Sequence, residues 1–180
     1  TCALPIYHFQ LSAAQLIEGV PLLRKVFPFG AYAEGWALYA ERLAKTDMGI
    51  YDSDPLGDLG RLQAEMFRAA RLVVDTGLHA KRWSREQAIE YMVAKTGMTE
   101  AEVTREVERY VVWPGQATSY KVGQLAILRM RERAERALGP RFDIKAFHEV
   151  LLMNGGMPLE VLDGAVDEWI SRSASSKSAP

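Results

Sequence analysis

One acidic residue stands alone in an apolar stretch of the sequence. Glu34 is the only charged residue between Lys25 and Glu41, and aromatic and aliphatic residues surround it in FGAYAEGWALYAERLAK. A carboxylate buried in such a helix must be paired, protonated or bound to a metal, because an isolated charge in a low dielectric is costly. Two interpretations of Glu34 are therefore open: a structural ion pair with an arginine such as Arg68 or Arg71, and a metal ligand or catalytic acid.

A second candidate lies near the end of a later helical segment. In RAARLVVDTGLHA, His79 follows Asp75 by four residues, and a carboxylate at that spacing can hold an imidazole in one tautomer. The alternative is a structural role near the helix C-terminus, where the helix dipole favours a cationic ring. For His148, in a short amphipathic segment, the sequence favours a surface or core position over a ligand.

The segment YVVWPGQATSYKVGQ supplies the third group of polar residues. A Pro-Gly break follows Trp113, and Gln116, Tyr120 and Lys121 come within the next turns. Tyr120 and Gln124 are one helical turn apart, so both side chains can face one site. A buried tyrosine needs a partner for its hydroxyl, and a structural role is the simpler interpretation of each residue taken alone.

Helices must position these residues, and the sequence predicts helices throughout. Asp54-Pro55 is a helix-start signal, and two capping boxes, Ser84 with Gln87 and Thr99 with Glu102, open further helices. The predicted helices span 10–27 with a division at Pro21, 31–45, 55–78, 84–95, 99–112, 116–138, 143–153 and 158–172. Without an internal repeat or a convincing strand, the pattern predicts an all-α, multi-helix array.

Composition narrows the class of protein. The 180 residues suit one domain or a large piece of one, and 22 basic against 23 acidic residues leave no bulk basic field for nucleic acid. The single cysteine excludes an internal disulfide framework. No apolar run approaches the roughly 20 residues of a membrane span. Residues 172–180 have nothing to bury and are predicted to be disordered.

Three segments together resemble a known family. EGWALYAERLAK, RLQAEMFRAARLVVDTGLHAK and YVVWPGQATSYKVGQL are similar to the C-terminal part of the bacterial DUF885 family, over about residues 8–170. These are large helical proteins regarded as zinc metallopeptidases. The resemblance implies that residues 8–171 are the C-terminal part of a zincin-like helical peptidase fold. It also implies zinc as cofactor and a peptide or a small amide as substrate.

The resemblance also implies metal ligands. In the family a segment of the form HEAxPGHHxQ precedes the EGWALYAE helix, and TCALPIYHFQ covers it position for position. His8 falls on the second histidine of the pair and Tyr7 on the first, whereas Thr1 and Cys2 fall on the leading His-Glu. His8 and Glu34 are therefore the expected zinc ligands, and either histidine of the family's pair can be the binding one. Without the leading His-Glu, the chain is expected to bind zinc poorly and to be inactive.

Further roles follow from the same resemblance. Metallopeptidases stabilise the tetrahedral intermediate with a histidine or tyrosine donor, and His79 and Tyr120 are the candidates here. Arg71, Gln116 and Lys121 are candidates for holding a substrate carboxylate.

The first residues have a separate explanation. TCALPI can be back-translated as ACG TGT GCT CTT CCG ATC, which with a trailing T is the end of a common short-read sequencing adapter. Residues 1–7 are therefore expected to be a non-native N-terminus in a truncated bacterial metagenomic sequence, with Tyr7 at the junction.

A different class of function is also open. A non-enzymatic all-α binding or interaction module can retain a peptidase-like fold, since fold alone does not fix function. Both a cytoplasmic and an exported location are compatible with the sequence.

Overall fold

The computed structural model of the protein describes residues 3–27 and 29–175, and every regular element within these ranges is a helix. A short π-helical segment, Ala3–His8, leads into the first α-helix. The α-helices are α1 Phe9–Leu16, α2 Leu22–Val26, α3 Gly30–Thr46, α4 Pro55–Lys81, α5 Arg85–Thr96, α6 Glu100–Val112, α7 Ser119–Leu138, α8 Ile144–Leu152 and α9 Leu159–Ser175. Single 3-10 turns lie at Gln116–Thr118 and Gly139–Arg141. The prediction of an all-α, multi-helix array is confirmed.

The capping signals in the sequence set most helix boundaries. The Asp54 side chain accepts a hydrogen bond from the Gly57 amide at 2.9 Å and opens α4. Both predicted capping boxes form, at Ser84 for α5 and at Thr99 for α6. Gly97 ends α5 with a φ of 67°, a left-handed conformation that glycine adopts without steric cost.

Three boundaries differ from the predictions. Helix α1 ends at Leu16 rather than near Pro21, and Gly19 lies in the connection to α2 with a φ of 76°. Helix α4 continues to Lys81, past the predicted end at residue 78. Helix α9 reaches Ser175, so of the predicted disordered tail only residues 176–180 lie outside the described residues.

The chain divides into two compact units. The first unit comprises Thr1–Tyr39 and Gly123–Pro180, and the second comprises Ala40–Val122. In the second unit, buried apolar side chains of α4, α5 and α6 form one core: Ala70, Val74, Ala88, Ile89, Met92, Val103, Val107, Tyr110 and Ala117. Phe67, Leu78 and Trp83 pack against the edge of this core.

In the first unit, two glycines bring helices α3 and α7 into close contact. A Cβ atom added to Gly35 would lie 2.5 Å from the Gly123 backbone, and one added to Gly123 would collide with the Ala31 carbonyl oxygen. No larger residue fits at either position without a shift of backbone.

Among the described residues, no helix combines the length and the apolar character needed to cross a lipid bilayer.

Candidate functional site

Glu34 of the first unit has a neutral partner rather than an arginine. The Tyr7 hydroxyl donates a hydrogen bond to Glu34 Oε2, and both side chains are half-buried. Within the part of the chain that the structure describes, no lysine, arginine or histidine forms an ion pair with Glu34. The described structure therefore does not contain the arginine partner that the first interpretation of Glu34, a structural ion pair, requires.

The residues around Glu34 fix helix α3 in place. Tyr32 and Trp36 are buried on either side of Glu34 in the sequence, and the Tyr32 hydroxyl donates to the Leu151 carbonyl at 3.0 Å. The buried Gln124 of α7 donates from Nε2 to the Leu38 carbonyl at 3.1 Å. Together with the Gly35 contact described above, these bonds hold the helix that carries Glu34 at a defined rotation.

His8 is placed differently from its neighbour Tyr7. The His8 side chain is exposed, and its Nε2 lies 3.5 Å from the Ser12 hydroxyl, one helical turn further along the chain. Among the described residues, Tyr7 contacts Glu34 and His8 does not. In terms of the family pattern, the first position of the histidine pair meets Glu34, and the second faces solvent.

The residues around Glu34 do not by themselves make a zinc site. A catalytic zinc ion takes three protein ligands and keeps one open position. Among the described residues, no group of three or more histidine, cysteine, aspartate or glutamate side chains is arranged to hold a metal ion. Tyr7 with Glu34 offers one carboxylate and one phenol, so the donor set present in the described chain does not fit the ion.

Arg71 lies at the centre of a buried polar cluster in the second unit. The residue is 4% exposed, and its Nε donates to the Tyr110 hydroxyl and its Nη2 to Glu106, both at 3.0 Å. Its guanidinium carbon lies 4.9 Å from the Phe67 ring centroid and 4.8 Å from that of Tyr120. Arg71 was a candidate for holding a substrate carboxylate, and the structure places it within a set of internal partners.

Protonation within this cluster follows from burial and charge. Burial raises the pKa of Tyr110, so the hydroxyl stays protonated and donates to Glu106 at 2.8 Å. Burial lowers the pKa of Arg71, but Tyr110 and Glu106 outweigh that effect and the net shift is upward. The cluster is therefore a neutral phenol between a guanidinium and a carboxylate, with every group hydrogen-bonded.

Asp75 and His79 do not act on each other. The Asp75 carboxylate is buried and accepts from the Gly115 amide at 3.0 Å and 3.1 Å through its two oxygens. His79 is exposed, and its Nε2 lies 3.0 Å from the Tyr110 carbonyl oxygen. Asp75 thus holds the Pro-Gly turn, and a backbone carbonyl rather than Asp75 sets the orientation of the His79 ring.

The remaining candidates in the second unit have internal partners as well. Gln116 accepts from Arg109 Nη2 at 3.3 Å, Tyr120 stacks on Arg71, and the Lys121 ammonium donates to Glu65 at 2.8 Å. The structure thus brings Arg71 and Tyr120 together but joins Gln116 and Lys121 to separate partners. Gln124 belongs to the first unit, where it donates to the Leu38 carbonyl, and the expected common site of Tyr120 and Gln124 stays a prediction.

Glu65 and its cationic partners form a polar group that the sequence did not indicate. Glu65 accepts from Lys121 at 2.8 Å and from Arg61 at 3.0 Å, and Arg42 lies 3.8 Å away. Only the i,i+4 spacing of Arg61 and Glu65 is visible in the sequence, and such pairs are common on solvated helices. The cations from α3 and α7 that converge on Glu65 are distant in the chain, so no local pattern indicates them.

Comparison with known proteins places the chain in a family. The model of the family "Bacterial protein of unknown function (DUF885)" matches residues 3–166. The matched range includes residues 3–7, for which the sequence predicts a non-native origin, and that origin stays a prediction. A search of curated proteins finds no match.

Two solved structures resemble most of the chain. One is a "putative lipoprotein" from Colwellia psychrerythraea, at 53% identity with a TM-score of 0.90 over 93% of this chain and 28% of that one. The other is a "putative lipoprotein of unknown function" from Shewanella oneidensis, at 30% identity with a TM-score of 0.81 over 90% of this chain and 29% of that one. The chain thus spans less than a third of the length of either structure.

Proposed function

The chain belongs to the DUF885 family, and from that premise we propose that it is the C-terminal part of a longer zinc-dependent hydrolase. The longer protein would have a zincin-like helical fold and cleave a peptide bond or the bond of a small amide. The observation that carries the proposal is the hydrogen bond from the Tyr7 hydroxyl to the Glu34 carboxylate.

The contact of Tyr7 with Glu34 supports one choice within the family's histidine pair. Position 7 is a histidine in the family pattern, and here its side chain reaches the one carboxylate of the apolar α3 segment. An imidazole is shorter than a phenol, and the difference leaves room for an ion whose bonds to nitrogen and oxygen are about 2.0–2.2 Å. We therefore assign position 7, and not His8, as the partner of Glu34 at the metal.

The environment of Glu34 supports the same assignment. A half-buried carboxylate without a cationic partner is costly unless something else neutralises it, and a bound divalent ion would do so. His8, although it was the expected ligand, is exposed and next to Ser12, so we propose for it no more than a secondary role near the metal.

For the remaining residues the proposal is narrower than the sequence suggested. The exposed His79 ring and the half-buried Tyr120 phenol are proposed to donate hydrogen bonds to substrate in the longer protein. Lys121 is proposed to attract a substrate carboxylate. Arg71 is buried among Tyr110, Glu106 and the Tyr120 ring, so we propose that it positions the Tyr120 ring. Gln116 is proposed to position the start of α7 through its hydrogen bond with Arg109.

The names of the two similar structures bear on location. Both are described as lipoproteins, and on that basis we propose that the longer protein is exported and anchored by a lipid.

A restored chain tests the metal assignment directly. The restoring substitutions are Thr1→His, Cys2→Glu, Ile6→Gly and Tyr7→His. Zinc affinity is measured by competition with a chromophoric chelator, on the original chain, on the restored chain and on the restored chain with Glu34→Gln. We expect the restored chain to bind zinc at least tenfold more tightly than the original, and Glu34→Gln to remove at least tenfold of that gain, since losing a ligand costs no less than losing the groups that orient it.

The matched control is Glu41→Gln in the restored chain. Glu41 lies two turns further along α3 and pairs with Arg68 at 3.4 Å, so its loss should leave zinc affinity unchanged. Circular dichroism of each variant verifies that the helices are intact. If the restored chain binds no better than the original, or if Glu34→Gln and Glu41→Gln behave alike, the metal assignment is wrong and the non-enzymatic helical module is favoured.

A further inference from the structure

A cavity of about 600 Å³ opens on the second unit beside Glu65. Its walls combine charged side chains, those of Arg42, Arg61, Lys121 and Glu65, with apolar ones that include Leu62 and Met66. We call it the Glu65 pocket. Its volume lies in the range of 300–1,000 Å³ that small-molecule sites occupy.

Cations outnumber carboxylates among the described residues that line the Glu65 pocket. Lys121 at 2.8 Å, Arg61 at 3.0 Å and Arg42 at 3.8 Å all lie against Glu65, and Lys121 has a further partner besides. Arg61 is additionally bonded through Nε to Asp58 at 2.7 Å. The lining residues therefore carry an excess of positive charge, which favours an anion in the cavity.

Arg42 is the lining cation that is best placed to bind a further anion. Its only ion pair among the described residues is the one with Glu65, and 3.8 Å is beyond the range of a hydrogen bond. The Arg42 side chain is 45% exposed, against 9% for Arg61 and 14% for Lys121. A guanidinium carries five donors in a planar fork that matches a carboxylate, so Arg42 can accept a second anion without releasing Glu65.

The apolar residues that line the pocket are exposed to solvent. Leu62 and Met66 lie one turn apart on α4, and 49% and 51% of their surfaces are exposed. Covering such side chains is favourable by about 25 cal/mol for each Å² of apolar surface removed from water. A ligand with an aliphatic group against Leu62 and Met66 and an anionic group at Arg42 would contact both the apolar and the charged lining of the pocket.

We propose that the Glu65 pocket binds a carboxylate with an aliphatic substituent. Arg42 binds the carboxylate through its planar guanidinium, Lys121 adds electrostatic attraction, and Leu62 with Met66 contact the aliphatic group. The terminal carboxylate of a short peptide and a short-chain fatty acid share this chemistry. The proposal concerns binding alone. It shares Lys121 with the proposed function, but none of its residues belongs to the Tyr7–Glu34 pair, so it does not depend on the metal assignment.

Four probe molecules test the pocket by titration, with isothermal calorimetry or amide chemical shifts as the readout. N-acetyl-leucine and hexanoate carry both groups, N-acetyl-leucinamide lacks the carboxylate, and acetate lacks the aliphatic group. We expect N-acetyl-leucine or hexanoate to bind at least tenfold more tightly than either incomplete probe, a difference of about 1.4 kcal/mol. The tighter of the two complete probes identifies the source, peptide terminus or fatty acid.

Two variants locate the binding site. Arg42→Gln should weaken the complete probe at least tenfold through loss of the bidentate contact, and Met66→Gln should weaken it severalfold through loss of apolar contact. Arg85→Gln is the matched control, since the Arg85 side chain is 44% exposed and ion-paired but lies outside the pocket. The proposal is overturned if N-acetyl-leucinamide binds as tightly as N-acetyl-leucine, if no complete probe binds, or if Arg42→Gln changes affinity no more than Arg85→Gln.

Discussion

Glu34 in the first unit and Arg71 in the second are both charged residues that lie against aromatic side chains, yet their partners differ. Arg71 is buried with a carboxylate, a phenol and two further aromatic rings against it. Glu34 is half-buried, and among the residues that the structure describes its side-chain partner is the neutral phenol of Tyr7 rather than a cation. Both helices are rich in apolar residues, so the helix type does not explain the difference.

The difference separates a structural charge from a candidate functional one. A buried charge is tolerated in a stable core when hydrogen bonds and an opposite charge satisfy it, and removing its partner is then very costly. A carboxylate without such partners lowers stability, and proteins retain such groups where function requires them. Arg71 fits the first description and Glu34 the second, which gives each a different expected response to substitution.

Arg71→Met should give the largest loss of stability. The substitution keeps the aliphatic stem but leaves Glu106 with only the longer contact to Arg109 at 3.7 Å and removes the donor to Tyr110, so we expect the free energy of unfolding to fall by about 3 kcal/mol. Urea denaturation followed by circular dichroism measures it. Adding Glu106→Gln should recover part of the loss, because it removes a carboxylate that has lost the closer of its two cations.

Arg85→Met is the matched control for Arg71→Met. Arg85 also pairs with a glutamate of α6, Glu108, at 2.6 Å, but on an exposed surface. Exposed ion pairs contribute little, so the denaturation midpoint should hardly move. Equal losses for Arg71→Met and Arg85→Met would mean that burial does not distinguish the two arginines, and the structural interpretation of Arg71 would fail.

Local signals in the sequence were enough to predict the helices but not their partners. The capping boxes at Ser84 and Thr99 and the Asp54-Pro55 start act within one turn, so they can be read without knowing the fold. The end of α1 was misplaced because Pro21 marks where a helix cannot continue, whereas the chain leaves the helix earlier, before Gly19.

Partners of charged residues depend on tertiary packing and were harder to predict. Arg68 was a candidate partner of Glu34 and pairs with Glu41, and Asp75 holds the Gly115 amide rather than His79. The sequence did identify Glu34 as exceptional, since an isolated acid in an apolar helix is a local observation. It could not identify position 7 as the residue that meets Glu34, because a contact 27 residues apart leaves no periodicity.

Glu65→Gln should have an intermediate effect that depends on pH. Burial raises the pKa of Glu65, but Lys121, Arg42 and Arg61 outweigh it and hold the pKa below its ordinary value of 4.5. A carboxyl whose pKa is lower in the folded state stabilises the fold above its unfolded pKa, and this contribution is lost as the pH falls through the folded pKa. We expect Glu65→Gln to cost roughly 1–3 kcal/mol near neutral pH, between the values for exposed and buried pairs.

The pH dependence is what identifies the Glu65 contribution. Denaturation curves from about pH 7 down to pH 3 should bring the original chain and Glu65→Gln together as Glu65 becomes protonated. Glu108→Gln, which removes the exposed partner of Arg85, serves as the control and should follow the original chain throughout. A gap between the original chain and Glu65→Gln that stays constant over this range would show that the loss is steric rather than electrostatic.

Glu34→Gln should have the smallest effect, and its sign is informative. A carboxamide oxygen accepts the same hydrogen bond from Tyr7, while the cost of a half-buried charge without a cation disappears. We therefore expect stability to stay the same or to rise by up to about 1 kcal/mol, measured by the same urea denaturation. A loss comparable to that of Arg71→Met would make Glu34 a structural charge and remove the reason to assign it to a metal. A rise in stability means that the carboxylate at position 34 is kept at some expense to the fold, as expected of a residue that serves chemistry, and an unchanged stability means that the fold does not need it.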